Sequence, residues 1–376
     1  MSRRRDQVRV ETALGSFDRF ESLEIVNDIA GLTEASFELG DDEAWSTLDE
    51  ILHPGEPFRV YLNDKIRMLG RAEVNEVPGD AESGVRIKLT CRTKLSDARY
   101  RSAEPSLKVE QVSIKQAILN AYAPLGLSEA YFRWGQFVDV ELMTGKSAKG
   151  QAPVDLQPFT VQQAKVQPPE TIYEFVERHL KRYRATHWDG PDGTIIVGRP
   201  DDTQQPFYRL QAKRGASSRG NNILGFTKLR DWTEVPHIVR VHGQTWGRDI
   251  TSSAFREEAE DNDVAAVVAR TGHFDRLVLV QDQQSKDRSS ARNAALRELS
   301  ARIRRKNAWE LRTDGWSYWN GSEQVPYANN TTVDVDVDAV GGPQGRFLVV
   351  RTALQLSIGS GPVTSLTTVA PGVWQL

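Results

Sequence analysis

The sequence predicts a β-rich α+β fold: a β-module, a small α/β unit, then a second β-module with a helix inserted in it. Three observations carry this. Apolar residues alternate with polar ones through the first ninety-odd positions, and alternation returns after Asn222. Between them, from about Ser96, the spacing changes to the three-and-four pattern of helices. A long basic amphipathic stretch, Ser285–Asn307, then interrupts the second run of strands.

The first β-module is densest from Leu32 to Val74. Ala35, Phe37 and Leu39 alternate with polar residues, as do Phe58, Val60 and Leu62, and Met68 through Val74 forms a third run. Such alternation turns one face to a core and one to water. Asn63-Asp64-Lys65 is a turn signal, and Pro54-Gly55-Glu56-Pro57 ends whatever precedes it. Val8 and Val10, Leu23 and Ile25, and Val85 to Cys91 extend the pattern to about six strands. Turn signals recur about every 8 to 12 residues, the spacing of a small sandwich or barrel. Within this module, Trp45, Leu48 and Leu52 share one helical face.

In the α/β unit, Ser113-Ile114-Lys115-Gln116 has capping-box form, and Ile114, Ala117, Ile118 and Ala121 make an apolar stripe that ends at Pro124 and Gly126. A second helix is expected after Pro168-Pro169, with Ile172, Phe175, Val176, His179, Leu180 and Tyr183 on one face. A hairpin follows, turning at Asp189–Gly193. Gly145–Asp155 reads as an exposed loop, and Arg214–Asn222 as a hinge or loop. Beyond it, strands are expected at Ile223–Leu229, at Ile238–His242, in the short apolar run Leu277–Val280, at Trp309–Arg312, through Val333, Val335 and Val337, at Phe347–Ile358 and at Val363–Val369. Phe255–Asp263 reads as acidic surface. In the inserted helix, Ala291, Ala295, Leu299 and Ile303 form the inner stripe, and eight bases between Lys286 and Lys306 the exterior.

Composition bounds the function. The 376 residues are enough for two or three domains, and 26% charged with 39% hydrophobic residues is ordinary for a globular protein. A net charge of −3 gives no global basic field for nucleic acid. No apolar run approaches the ~18 residues of a membrane helix, so no membrane insertion is expected. The basic start, Ser2–Asp6, lacks a following apolar segment, so a cytoplasmic beginning is expected. The single cysteine, Cys91, forms no internal disulfide and reads as a buried strand residue.

No chemistry stands out. Gly145-Lys146-Ser147 imitates the end of a phosphate-binding loop, but Val140 stands where the motif needs glycine. Asp334, Asp336 and Asp338 share one strand face, yet no calcium-loop glycine or distal glutamate follows, so a solvated face is the simpler reading. The six histidines are scattered, and His179 lies on an apolar stripe. The basic exterior of the inserted helix lacks interleaved aromatics for base stacking, which leaves a solvated face or a protein neighbour. No catalytic, cofactor-binding or metal-binding residues are assigned, and no enzyme is expected.

Collinear phrases resemble the baseplate hub of contractile phage tails, in the form found in Mu-like phages and the related late-control tail proteins. Ala30–Leu39 resembles that family's first-barrel strand, Pro54–Val60 the start of the next, Met68–Val74 the return, and Leu89–Asp97 the segment that closes the barrel. Ala117–Pro124 and Glu170–Val176 resemble the two helices of its middle unit, and Asp192-Gly193 its hairpin. Thr313-Asp314-Gly315-Trp316, Trp319-Asn320 and the strand Phe347–Thr352 complete the set. Gly135–Gln167 is longer and more polar than the pattern, and Ala370–Leu376 departs from it at the end.

The resemblance implies two similar small β-barrels flanking the α/β unit, with a helix inserted in the second. The expected domains are 1–97, the first barrel; 98–215, the middle unit with an exposed loop near 135–167; and 216–376, the second barrel with the insertion at 285–307. It implies a homotrimer whose paired barrels mimic six-fold symmetry. Such a ring joins a hexameric tail tube to a trimeric spike, touches other baseplate proteins and lets DNA pass in transit. Its place is the virion tail baseplate, assembled in the host bacterial cytoplasm. The basic helix is then expected to face a neighbour or the outside, because tight phosphate contacts in a lumen would retard DNA. Two other readings are a cell-wall-degrading enzyme of the tail and a virion-surface module binding carbohydrate or protein. The cluster Trp309, Trp316, Tyr318, Trp319 and Tyr327 would serve the last if it were exposed.

Overall fold

A computed structural model describes residues 6–13, 15–18, 20–40, 55–76, 79–80, 84–107, 112–135, 165–214, 220–243, 255–282, 288–304, 306–339, 341–357 and 361–373. The helix expected around Trp45, the loop Gly145–Asp155 and the Gly145-Lys146-Ser147 phrase lie outside the described residues, as does most of the expected 135–167 loop.

The first module comprises β1 (Val8–Glu11), β2 (Ser16–Phe17), β3 (Ser22–Asp28), β4 (Glu34–Gly40), β5 (Pro57–Leu62), β6 (Lys65–Glu76), β7 (Gly79–Asp80) and β8 (Gly84–Arg92). Alternation places Leu23, Ile25, Ala35, Phe37, Phe58 and Val60 in one core. Asn63 and Asp64 both adopt positive φ, as the tight turn between β5 and β6 demands. Cys91 is buried in β8, and burial pushes its thiol well above the ordinary range.

The middle unit holds α1 (Lys94–Tyr100), α2 (Ile114–Tyr122), β9 (Phe132–Trp134), α3 (Ile172–Leu180), β10 (Thr186–Asp189) and β11 (Ile195–Gly198). Ser113 caps α2 by accepting from the Gln116 amide at 3.2 Å, but the Gln116 side chain bonds Asn120 instead of reaching back. The complete capping box is at α3, where Thr171 and Glu174 bond each other's backbone. The apolar stripe of α3 packs on that of α2, and His179 of α3 is buried against Phe175.

The last third contains β12 (Tyr208–Ala212), β13 (Ile223–Leu229), β14 (Ile238–Gly243), β15 (Phe255–Glu260), α4 (Asn262–Thr271), β16 (Leu277–Asp282), α5 (Arg288–Ile303), β17 (Ala308–Asp314), β18 (Ser317–Trp319), β19 (Gln324–Pro326), β20 (Thr331–Val337), β21 (Gln344–Ser357) and β22 (Gly361–Val369). Its strands fall into three sheets. β14, β15 and β16 make a small sheet covered by α5, with its own core around Val239, Val241, Ala295 and Leu299. β18 and β19 pair only with each other, and the others join the first module.

The expectation of two closed barrels is overturned. Among the described residues both modules belong to one 14-stranded sheet, running β13-β17-β22-β21-β3-β4-β8-β6-β5-β1-β2, with β20 and then β12 branching from β21 and β7 pairing with β8. The first module stays open because both edges of β3 are occupied, one by β4 and one by β21. No edge remains for β1 or β2 to close upon. The second stays open because β13 begins where β12 ends. The gap is bridged at Asn222: its amide donates to the Gln211 carbonyl at 3.1 Å, its Oδ1 accepts from the Gln211 amide at 2.8 Å, and its Nδ2 donates to the Arg209 carbonyl at 2.9 Å. The helix expected inside the second barrel instead lies on the small sheet, as α5.

Candidate functional site: the seam between the two sheet halves

Among the described residues it is the seam between the sheet halves, not a catalytic cluster, that organises the molecule. β21 is long enough, at 14 residues, to serve both. One of its edges pairs with β20 through residues 344–349, then with β3 through residues 351–357, while its other edge carries β22. The changeover falls at Val350, where the ladder to β22 shifts register. The Val350 carbonyl accepts from the Ile29 amide at 3.1 Å just beyond the end of β3.

β10 fills the hollow at this changeover. All four of its residues are buried. Trp188 sits among Ile29 of the first half and Ala308, Leu348, Val350 and Val369 of the second. It is among the largest fully buried side chains, so the hydrophobic effect acts on it strongly. One residue on, Asp189 is also buried and accepts from the Thr33 amide at 3.4 Å. The turn beyond it touches β6: a Cβ on Gly193 would lie 2.6 Å from Leu69 Cδ2, so only glycine allows the approach.

A second clasp lies across the two halves. Asp6 accepts from the Trp316 amide at 2.7 Å and from Asn63 Nδ2 at 2.7 Å, and Asn63 Nδ2 also donates to Ser317 Oγ at 3.1 Å. Arg67 is buried and donates to the Tyr327 carbonyl, and burial lowers its pKa. Trp316 donates from Nε1 to the Gln355 carbonyl at 2.9 Å. Trp309, Trp316 and Tyr327 are therefore core residues, with only Trp319 widely exposed among the five expected aromatics, so they form no exposed binding cluster. Along the outer face of the seam, Gln355 donates to Glu24 at 2.8 Å and Ser22 to Glu38 at 3.1 Å, which leaves a polar surface over the joint.

The middle unit contains an array with the outline of a catalytic relay. Glu177 Oε1 accepts from His187 Nδ1 at 2.8 Å, and the Tyr122 hydroxyl lies 2.6 Å from His187 Nε2. Tyr122 and His187 are both fully buried, so no substrate reaches them. Burial alone would raise the pKa of Glu177, but the hydrogen bond and charge of His187, then Arg297 and Thr186, hold it at about 2. Arg297 reaches the other carboxylate oxygen at 3.4 Å from α5. The array thus ties the helix of the small sheet to the middle unit.

That contact answers the expectation for the basic helix. Arg297 and Lys306 are buried, Arg302 pairs with Glu298 at 2.9 Å, and Arg288 lies 3.8 Å from Glu257. Lys306 Nζ donates to Asp261 at 2.6 and 2.7 Å and to Asp263 at 2.9 Å. Much of the expected basic exterior therefore meets carboxylates of the same chain. Asp261, within the stretch expected as acidic surface, is the buried N-cap of α4. The aspartates of β20 behave as a partly solvated face, with Asp336 paired to Lys213. Among the described residues no group of three or more His, Cys, Asp or Glu side chains could hold a metal, and no helix is long and apolar enough to cross a membrane.

Against known proteins, no family model matches the chain and no curated protein matches it. Solved structures do, over nearly the full length. The tail protein from Neisseria meningitidis MC58 aligns with a TM-score of 0.73 at 17% identity, covering 99% of this chain and 98% of that one. The 43 kDa tail protein of prophage MuSo2 from Shewanella oneidensis aligns at 0.75 and 15% identity, covering 98% and 99%. The E. coli c3393 protein, described as a component of the type VI secretion system with structural similarity to T4 tail proteins gp27 and gp5, aligns at 0.51 and 9%, covering 96% and 76%. The fold is that of phage and prophage tail proteins.

Proposed function

We propose that the chain is the baseplate hub subunit of a contractile tail. Three copies form a ring that joins a hexameric tail tube to a trimeric spike and lets DNA pass. The observation that carries this reading is the shared strand β21, which fixes two sheet halves side by side in one chain. Three chains then present six halves, so a three-fold ring can meet a six-fold partner through closed, repeated contacts. The end-to-end likeness to tail proteins supports the same reading. The domain limits 1–97, 98–215 and 216–376 belong to it. So do contacts with the tube, the spike and other baseplate proteins, and a place in the virion baseplate after assembly in the host cytoplasm.

Light scattering on the purified chain tests it. The expected mass is three times 42.2 kDa. A stable monomer at high concentration overturns the ring.

A further inference from the structure

Asp189 is a buried acid at the seam. Its carboxylate lies between the middle unit and the first sheet half, and Thr33 is its backbone donor, at 3.4 Å. The groups facing it come from several elements. Arg99 of α1 adds a positive charge, Thr33 and Thr93 face it from the approaches to β4 and α1, and Tyr122 faces it from α2. Arg99 is also engaged elsewhere: it donates to the Ala30 carbonyl at 3.2 Å and stacks 4.1 Å from the Tyr173 ring centre. Among the described residues no cation is paired with the acid at the joint where β10 and β11 dock.

We propose that Asp189 is a proton-sensitive latch, holding the β10–β11 hairpin against the first sheet half when neutral and loosening it when ionised. A buried carboxylate without a close counter-ion is costly, whereas the neutral acid is not. The side chain's environment agrees. Burial raises its pKa to about 6, against the opposing pull of Thr93, then Thr33 and Arg99. The sign follows from linkage. The docked pKa lies above the free value of 3.8, so docking is tightest below that value and weakens as pH rises through 6. A shift of this size changes the docked-to-loosened ratio by roughly 100-fold, at tenfold per pH unit.

Hydrogen exchange of the full chain, at pH 5 and pH 7.5 after correction for intrinsic exchange, tests the latch. The peptides to follow cover residues 186–198 and 30–40. Wild-type opening of these peptides should rise steeply between the two pH values, while Asp189→Asn should hold the low-pH protection at both. Equal wild-type opening at both pH values overturns the proposal. So does an Asp189→Asn chain that keeps the wild-type dependence. If that variant does not fold, the wild-type series decides alone. Local exchange is needed because His237, in the small sheet, is raised above its ordinary pKa by Asp275, and its pairing with Glu260 adds to this. Its stabilisation is present below about pH 6.5 and fades as pH rises, so global melting would mix the two.

Discussion

The seam and the small sheet are attached by opposite means. At the seam, β21 and β3 share a backbone ladder from Arg351–Asp28 to Ser357–Ser22, and Trp188 packs into an apolar hollow. The small sheet is tied to the middle unit by charge, Glu177 to Arg297, and its own two helices are pinned together by Lys306 with Asp261 and Asp263. A ladder with an apolar plug is indifferent to salt and, apart from Asp189, to pH. Buried ion pairs are geometrically selective and fail badly when one partner is removed. The sheet halves are thus fused permanently, while the small sheet is placed precisely by a few charges.

The largest effect should come from unplugging the seam. Trp188→Ala removes a side chain that touches both halves and the middle unit, and should cost about 4 kcal/mol in urea unfolding. A loss below about 1 kcal/mol would mean the ladder alone holds the halves. Next, Lys306→Met strands Asp261 in the interior and should cost about 3 kcal/mol. Adding Asp261→Asn should return most of this, because asparagine still caps α4. A double variant no better than the single would refute an electrostatic pinning of the two helices.

Acid should act on the small sheet before the seam. The folded pKa of Glu177, about 2, lies below its free value of 4.5. Its contribution is therefore present above pH 4.5 and is lost as pH falls through 2. Glu177→Gln should flatten acid unfolding in that window by on the order of 2 kcal/mol, followed by circular dichroism. The smallest effect belongs to the exposed face of the small sheet. Glu258 pairs with Arg240 at 2.6 Å in water, and Glu258→Gln should shift the midpoint by less than about 1 kcal/mol, and less still in high salt.

The alternating strands of the first module, the tight turn at Asn63-Asp64, the stripe of α3 and that of α5 could be read from residue spacing, because spacing sets which side chains share a face. β12, by contrast, is not among the expected strands, and β15 reads as acidic surface. The buried polar groups could not. Nothing near His187 or Glu177 in the chain announces that Tyr122 and Arg297 will meet them; those residues lie 65 and 120 positions away. Asp261 looked like surface because its neighbours are acidic, and Lys306 is what makes its burial tolerable. The Thr171–Glu174 capping box was legible in the sequence but masked by the proline signal just before it.

By itself, then, the sequence determined that β-rich stretches flank an α/β unit, and which face of the alternating strands is buried. The tertiary structure decided that neither module closes and that β21 carries strands of both on one edge. The reason is physical. Burial is chosen by side chains, which differ from residue to residue and alternate visibly. Edge pairing is made by backbone amides and carbonyls, which nearly every residue has alike. A strand's sequence shows what it faces, not which neighbour it will bond.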